Sequence, residues 1–281
     1  MLGPRSLSAA VELASFRTPT LPPATHTNSY AIGSRDVVLV EPATPYAGER
    51  RAFLEWARSL AFSGRKLLAI FVTHHHKDHT GGAEFFAREL GLPLWMHAET
   101  EARLPLQAAR LLTEGERIVL DGPVPTSWEI LHTPGHAPGH LCLHSASTRE
   151  TIVGDMVAGL GTILIPPKSG DGDMAEYLRQ LRRMETLDSF TAYAAHGEPI
   201  DNPSSRYRAY IAHRLTREAR ILEVLTIAPG RTADELVDPV YGELPFATRP
   251  FAVMSVLAHL EKLVTEGRVR ESDQGPEPRY A

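Results

Sequence analysis

Residues 73–82 read Thr73-His74-His75-His76-Lys77-Asp78-His79-Thr80-Gly81-Gly82 and decide the fold. Four of the chain's thirteen histidines fall within six residues here, with an aspartate between the last two. The stretch follows Leu67-Leu68-Ala69-Ile70-Phe71-Val72, an apolar run with the length and β-branched content of a buried strand. Gly81-Gly82 and then Ala83-Glu84-Phe85-Phe86-Ala87 read as the start of a helix. The histidines are therefore expected on a tight strand-to-helix loop. A strand end is rigid, and a metal needs its donors fixed to within a few tenths of an ångström.

Neutral imidazoles and carboxylates are the donor set that suits zinc and other borderline divalent ions. Alternate side chains of an extended segment share a face. His74, His76 and Asp78 are thus expected to point one way, with His79 turning off at the helix start. Four such donors exceed what one ion with an open position takes from one loop, which points to two adjacent metals. A solvated His-rich turn would usually lack both the apolar strand before it and the glycine pair after it.

His74-x-His76-x-Asp78-His79 behind a buried strand, with Gly81-Gly82 following, resembles the signature of the metallo-β-lactamase superfamily. The resemblance implies further ligands at strand ends downstream, in fixed order. Thr133-Pro134-Gly135-His136, Ile152-Val153-Gly154-Asp155 and Ala194-Ala195-His196-Gly197 match those motifs in that order. Carried over, the pattern implies His74, His76 and His136 on one metal, Asp78, His79 and His196 on a second, and Asp155 bridging. His75 occupies the variable position and is expected to face away. His76, where redox di-iron relatives carry glutamate, and Asp155, where some lactamases carry cysteine, favour a hydrolytic site with two Zn2+, Mn2+ or Fe being the other candidates. The implied fold is α/β, a four-layer αββα sandwich over residues 1–202. One departure is Glu41-Pro42-Ala43, where the family often has Asp-Pro-Gly or Asp-Thr-Gly; it is expected to lie away from the ligands.

Around this frame, Ala31-Ile32 and Val37–Val40 read as a hairpin turned at Gly33–Asp36, and a helix is expected over Gly48–Ser63. Trp128–Leu131, His140–His144 and Thr151–Val153 read as strands, and residues 159–170 as a loop shaping substrate access. Lys168 on that loop is read as solvated before it is read as a contact for an anionic substrate. Asp173-x-x-Glu176 reads as a helix N-cap, with Met174, Tyr177, Leu178, Leu181 and Met184 on one buried face. The lone cysteine, Cys142, reads as a buried structural thiol. His26, His97, His132, His140, His144 and His259 are read as surface or hydrogen-bonded structural residues, with His213 a lesser candidate for a place beside the metals.

Residues 203–281 change character. A long helix carries Tyr207, Ile211, Leu215, Leu222 and Leu225, a short one spans Ala233–Tyr241, and another begins near Pro250. A turn toward Arg279-Tyr280 closes the chain. This resembles a winged helix, and the whole resembles the β-lactamase-like protein 2 group, which carries such a tail. From Ser205 onward ten Arg and one Lys face eleven Asp and Glu, so no phosphate-tracking charge is present. Packing or homodimerisation is the expected role of the tail.

The 281 residues, 43% apolar with formal charge −5, allow a large domain and a small one, and predict no bulk attraction to nucleic acid or anionic membrane. No sustained apolar leader is evident and no stretch reaches transmembrane length, so a cytoplasmic protein is expected. The implied activity is that of a binuclear zinc hydrolase using a metal-bridging hydroxide, with Asp78 both a ligand and the residue that orients the nucleophile and passes a proton. An acyl ester or thioester is the first substrate class, and single-stranded RNA cut by an endoribonuclease is the second. A basic groove leading to the metals would reverse that order. A non-catalytic metal-binding regulator acting through the tail is the third reading.

Overall fold

A computed structural model describes residues 3–272 and 277–281. Contacts divide the chain into two compact units: Met1–Thr133, Pro138–Thr162 and Leu187–Pro203 form one, and Pro134–Ala137, Ile163–Thr186 and Ser204–Ala281 the other.

The first unit is a sandwich of two sheets. One runs in chain order through β1 (Arg5–Ser6), β2 (Val11–Arg17), β3 (His26–Ile32), β4 (Asp36–Val40), β5 (Lys66–Phe71), β6 (Leu94–Met96) and β7 (Arg110–Leu111). Its first four strands pair antiparallel, including the expected β3–β4 hairpin, and its last four pair parallel. The switch falls where α1 (Ala47–Phe62) makes the crossover that a parallel pair requires. The other sheet holds β8 (Arg117–Leu120), β9 (Thr126–His132), β10 (Leu141–Ser145), β11 (Glu150–Gly154), β12 (Thr191–Ala194) and β13 (Ile200–Asp201), antiparallel except for β11 beside β12.

The alternation of strand side chains sorts the core. Val38 and Val40 of β4, with Tyr30 and Ile32 of β3, meet Trp128, Ile130, Leu141, Leu143 and Ile152 of the facing sheet. Val37, Leu39 and Ala31 point the other way, onto Phe53, Trp56, Ala57 and Leu60 of α1. The first sheet is thus covered on both faces, which is why β4 and β5 read as unbroken apolar runs. Beyond β5 come a single helical turn, α2 (Lys77–Thr80), then α3 (Ala83–Leu90) and the short α4 (Ala98–Glu101). Phe86 of α3 stacks on Phe53 with ring centroids 3.9 Å apart. A side chain at Gly82 would meet the Phe86 ring at 2.3 Å and the Thr44 carbonyl oxygen at 2.7 Å, so the second glycine of the motif lets this loop close against its neighbours. Cys142 is fully buried, as expected.

In the second unit α5 (Met174–Glu185) is capped by Asp173, whose carboxylate accepts from Glu176 N at 2.9 Å, and it buries the expected stripe. There follow α6 (Pro203–Ile227), α7 (Ala233–Tyr241), α8 (Arg249–Thr265) and a two-stranded wing of β14 (Glu271–Ser272) and β15 (Arg279–Tyr280). The expected turn between those strands includes residues 273–276, which lie outside the described residues. Ile221, Leu225, Leu236, Val256, Leu260 and Leu263 form its core. Leu215, grouped by spacing with the inward stripe, is 40% exposed. Steps of four residues along a 3.6-residue helix drift about 40° each, so the row from Tyr207 leaves the buried face by its third member. No described helix is long and apolar enough to cross a membrane.

Candidate metal centre

Parallel pairing places strand C-termini at one edge. Glu41 follows β4 and His74 follows β5 on one sheet, while Asp155 follows β11 and His196 follows β12 on the other. His74 and His76 both lie on the loop between β5 and α2, and His74 Nε2 is 3.0 Å from His76 Nδ1. Asp78 does not continue the extended run expected from the sequence. The helical turn starts at Lys77, so Asp78 and His79 both leave from α2, with His76 as its N-cap at φ −64°, ψ 148°.

His79 Nε2 is fully buried and has no hydrogen-bond partner of good geometry among the described residues. It lies 3.7 Å from Asp78 Oδ2 and 3.5 Å from Asp155 Oδ2. His196 Nε2 lies 3.5 Å from Asp78 Oδ2 and 3.4 Å from Asp155 Oδ1. These separations are too long for good hydrogen bonds. They match the spacing of donors around one ion, since tetrahedral ligands at zinc distances sit roughly 3.3–3.5 Å apart. Charge agrees with geometry. Burial alone would lower the His79 pKa, yet the carboxylates of Glu41, Asp155 and Asp78 raise it well above the usual histidine value. Such a pocket calls for a cation, and a divalent ion held by this donor set fits it.

The ring nitrogens turned away from the centre are each fixed. Thr73 Oγ1 donates to Glu41 Oε1 at 2.5 Å, so it accepts from His74 Nδ1 at 2.9 Å. The same Glu41 oxygen accepts from His79 Nδ1 at 3.0 Å. His196 Nδ1 donates to the His26 carbonyl oxygen at 3.0 Å. Each bond puts the proton on Nδ1 and leaves Nε2 as the basic nitrogen. His140, read from sequence as structural, is that and more. Its Nε2 accepts from Asp155 N at 3.0 Å and its Nδ1 donates to Thr133 Oγ1 at 2.7 Å. Burial, only partly offset by Asp155, pushes its pKa down to about 3, so the neutral tautomer holds the backbone on which Asp155 sits. Gly154 just before it has φ 47°, and a side chain there would lie 2.6 Å from His140 Nε2.

His136 belongs to the second unit, where it is 5% exposed and donates from Nδ1 to the Leu164 carbonyl oxygen at 2.9 Å. His75 is half-buried and joins none of the donor groups found among the described residues. His213 is exposed on α6 and Lys168 is exposed, and neither joins those groups.

Glu41 corrects the reading of its tripeptide. The departure from the family pattern was expected away from the ligands, but the Glu41 side chain is fully buried and directly behind His74 and His79. The available signal was an acidic residue at the end of the strand beside β5.

Two sheets with candidate metal ligands gathered at their strand ends are the arrangement of a metallohydrolase of the sandwich type. Residues 22–196 match the description of the metallo-β-lactamase superfamily, and the chain belongs to it. Residues 232–276 match the β-lactamase-associated winged helix domain. Among curated relatives, the "Beta-lactamase-like protein 2 homolog" of Caenorhabditis elegans is 27% identical over 248 residues, covering 86% of this chain and 80% of that one. The "Atrochrysone carboxyl ACP thioesterase" of Pseudocercospora fijiensis is 26% identical over 259 residues, covering 89% and 73%. A metallo-β-lactamase family protein of Thermus thermophilus has a similar solved structure, with TM-score 0.80 and 27% identity over 98% of this chain and 99% of that one.

Proposed function

We propose that the chain is a di-zinc hydrolase of acyl thioesters. The observation that carries the reading is the cage of donors from the buried His79, Asp155 and His196 and the half-buried Asp78, 3.4–3.7 Å apart, with His79 Nε2 lacking a hydrogen-bond partner of good geometry among the described residues. His74, His76 and His136 are assigned to one ion, Asp78, His79 and His196 to the other, and Asp155 to both. Zinc held by these residues would supply a water acidified to a pKa of about 7 and a Lewis acid for the scissile carbonyl. Glu41 and Thr73 hold the His74 and His79 rings in the ligating tautomer, and His140 holds the Asp155 main chain. Asp78 is the most exposed of the four carboxylate and imidazole groups in the cage, at 18% of its side chain, which supports giving it the role of taking a proton from the attacking water and delivering it to the leaving thiolate. A relative that carries the name thioesterase supports the acyl class.

The endoribonuclease reading has one observation in its favour: Arg50, Lys77, Arg88 and Arg103 line a cleft that His75 and His76 also line. Two of the four are paired, Arg88 with Glu89 and Arg103 with Glu99. In the tail, Arg249 is held by Asp234 and Asp238, and Lys262 by Glu218 and Glu266, so the cations of α8 are already engaged. The thioester reading therefore stands first, with the tail a packing or dimerisation module.

The test measures metal content and turnover together, for wild type and His76→Ala, on a panel of acyl thioesters and a labelled single-stranded RNA. Thioester cleavage that disappears in the variant along with bound metal is expected. Cleavage of RNA alone would overturn the assignment.

A further inference from the structure

The cleft beside His75 and His76 has a volume of about 600 Å³, within the ~300–1,000 Å³ typical of small-molecule sites. One wall is apolar, from Phe85, Leu104, Pro105 and Leu106. Its cations are not equivalent. Arg88 and Arg103 have carboxylate partners, whereas Arg50 and the exposed Lys77 have none among the described residues. Arg50 is half-buried on α1, with its guanidinium carbon 4.9 Å from the centre of the Phe85 ring. Its one acceptor among the described residues is the Gly81 carbonyl oxygen, 3.1 Å from Nη2, and its Nε is buried without a partner.

A guanidinium anchored by one bond and laid on an aromatic ring keeps its charge and most of its donors, and loses little freedom on meeting an anion. Leaving such a cation half-desolvated and unpaired beside an apolar wall is unfavourable unless something anionic completes it. We propose that this cleft is a substrate subsite for an oxyanion carried on an apolar body, received by Arg50 with Lys77 at the rim and packed on Phe85, Leu104 and Leu106. Resting on the thioesterase reading, it makes the preferred substrate a thioester with a carboxylate on its acyl chain or a phosphate on its thiol arm. A cleft whose lining offers two cations without carboxylate partners among the described residues, with Glu84 also at its wall, suits one such group better than the run of phosphates in a single-stranded RNA, whose binding needs a track of roughly four or more nucleotides.

The test uses the full metal-loaded chain, wild type, Arg50→Met and Arg50→Lys. Matched thioesters differ only in a terminal carboxylate on the acyl chain, or only in a phosphate on a pantetheine arm. Matched non-hydrolysable thioethers of the same pairs measure binding. One of the two anions is expected to raise kcat/KM and tighten binding by roughly 10- to 100-fold over its neutral partner. That ratio should collapse to near one in Arg50→Met and persist in part in Arg50→Lys. The arm that discriminates identifies the source of the anion. Equal binding of charged and neutral thioethers by wild type, or an undiminished ratio in Arg50→Met, would overturn the subsite even if thioesters are hydrolysed. Anion-selective binding that depends on Arg50, without turnover of any thioester, would uphold the subsite and sink the thioesterase reading. RNA cleavage that falls with Arg50→Met while both thioether pairs bind without charge preference would replace the proposal with a nucleic-acid path.

Discussion

Removing the Glu41 carboxylate should loosen the metal centre without touching a ligand. Glu41 Oε1 accepts two hydrogen bonds at once, from Thr73 Oγ1 and from His79 Nδ1, and through Thr73 it also sets the His74 ring. Two of the proposed ligands, one on each ion, therefore depend on one oxygen atom. Groups of this kind typically change metal affinity by ~10–100-fold when removed, which corresponds to about 1.4–2.7 kcal/mol. Glu41→Ala should weaken zinc binding by at least that range. In Glu41→Gln an amide oxygen can still accept, but an NH2 replaces Oε2, which has no hydrogen-bond partner among the described residues, so the variant buries an unsatisfied donor at a cost of ~1–3 kcal/mol in stability. Glu41 also sits at φ 63°, so Glu41→Gly removes the carboxylate where the backbone itself favours glycine. Zinc dissociation constants from competition with a chromophoric chelator, alongside thermal melts, separate these effects. If Glu41→Ala and Glu41→Gly both bind zinc within about threefold of wild type, below the smallest effect expected of such a group, the carboxylate does not position the imidazoles and the argument fails.

The raised His79 pKa gives a pH signature: apparent zinc affinity should keep rising with pH above the ordinary histidine value of about 6.5, because the ion must displace a proton that the three carboxylates retain. A plateau at that pH in a titration series would contradict it. For the metal-free chain the same group contributes stability that is complete below about 6.5 and is lost as pH rises through the raised value. His259 has the opposite sign. Burial, then Arg214 and Lys262, hold its pKa at about 3, so stability should fall by roughly 1.4 kcal/mol per pH unit as pH drops below about 6.5. His259→Leu should flatten that acid limb in urea melts, and an unchanged slope would assign it elsewhere. Asp155→Ala should lose both metals by elemental analysis, and retention of both would refute its bridging role. His75→Ala should leave metal content unchanged, and loss of an ion would show that the placement of His75 outside the donor groups is misread.

Much of this architecture was legible because it rests on periodicity and on candidate ligands anchored at strand ends. The unbroken run Leu67–Val72 announced a strand covered on both faces, and the positions of Asp155 and His196 followed the apolar runs before them. What spacing could not reveal is where the chain leaves the extended state. The alternation through Asp78 looked sound, but hydrogen bonds from His79 N and Thr80 N back to His76 O close a helical turn that begins one residue earlier. Glu41 was hidden for a related reason. It is 33 residues from His74 in sequence, and only the parallel pairing of β4 with β5 brings their C-terminal ends side by side.

Charge shows the limit most clearly. Counting Arg and Lys treats every cation as equal, and on that count neither the tail nor the whole chain looks like a binder of anions. Folding spends most of those charges on internal partners: Arg249 on two aspartates, Lys262 and Arg268 on the buried Glu218, Arg103 on Glu99. What matters for recognition is the remainder. Arg50 on α1 and Phe85 on α3 are 35 residues apart in sequence, and their meeting beside His76 leaves a cation whose described partners are a ring face and a carbonyl oxygen. An acidic chain can therefore present one poised cation at the edge of a candidate metal centre. The composition that argues against a phosphate track is compatible with selecting a single anionic group on a small substrate.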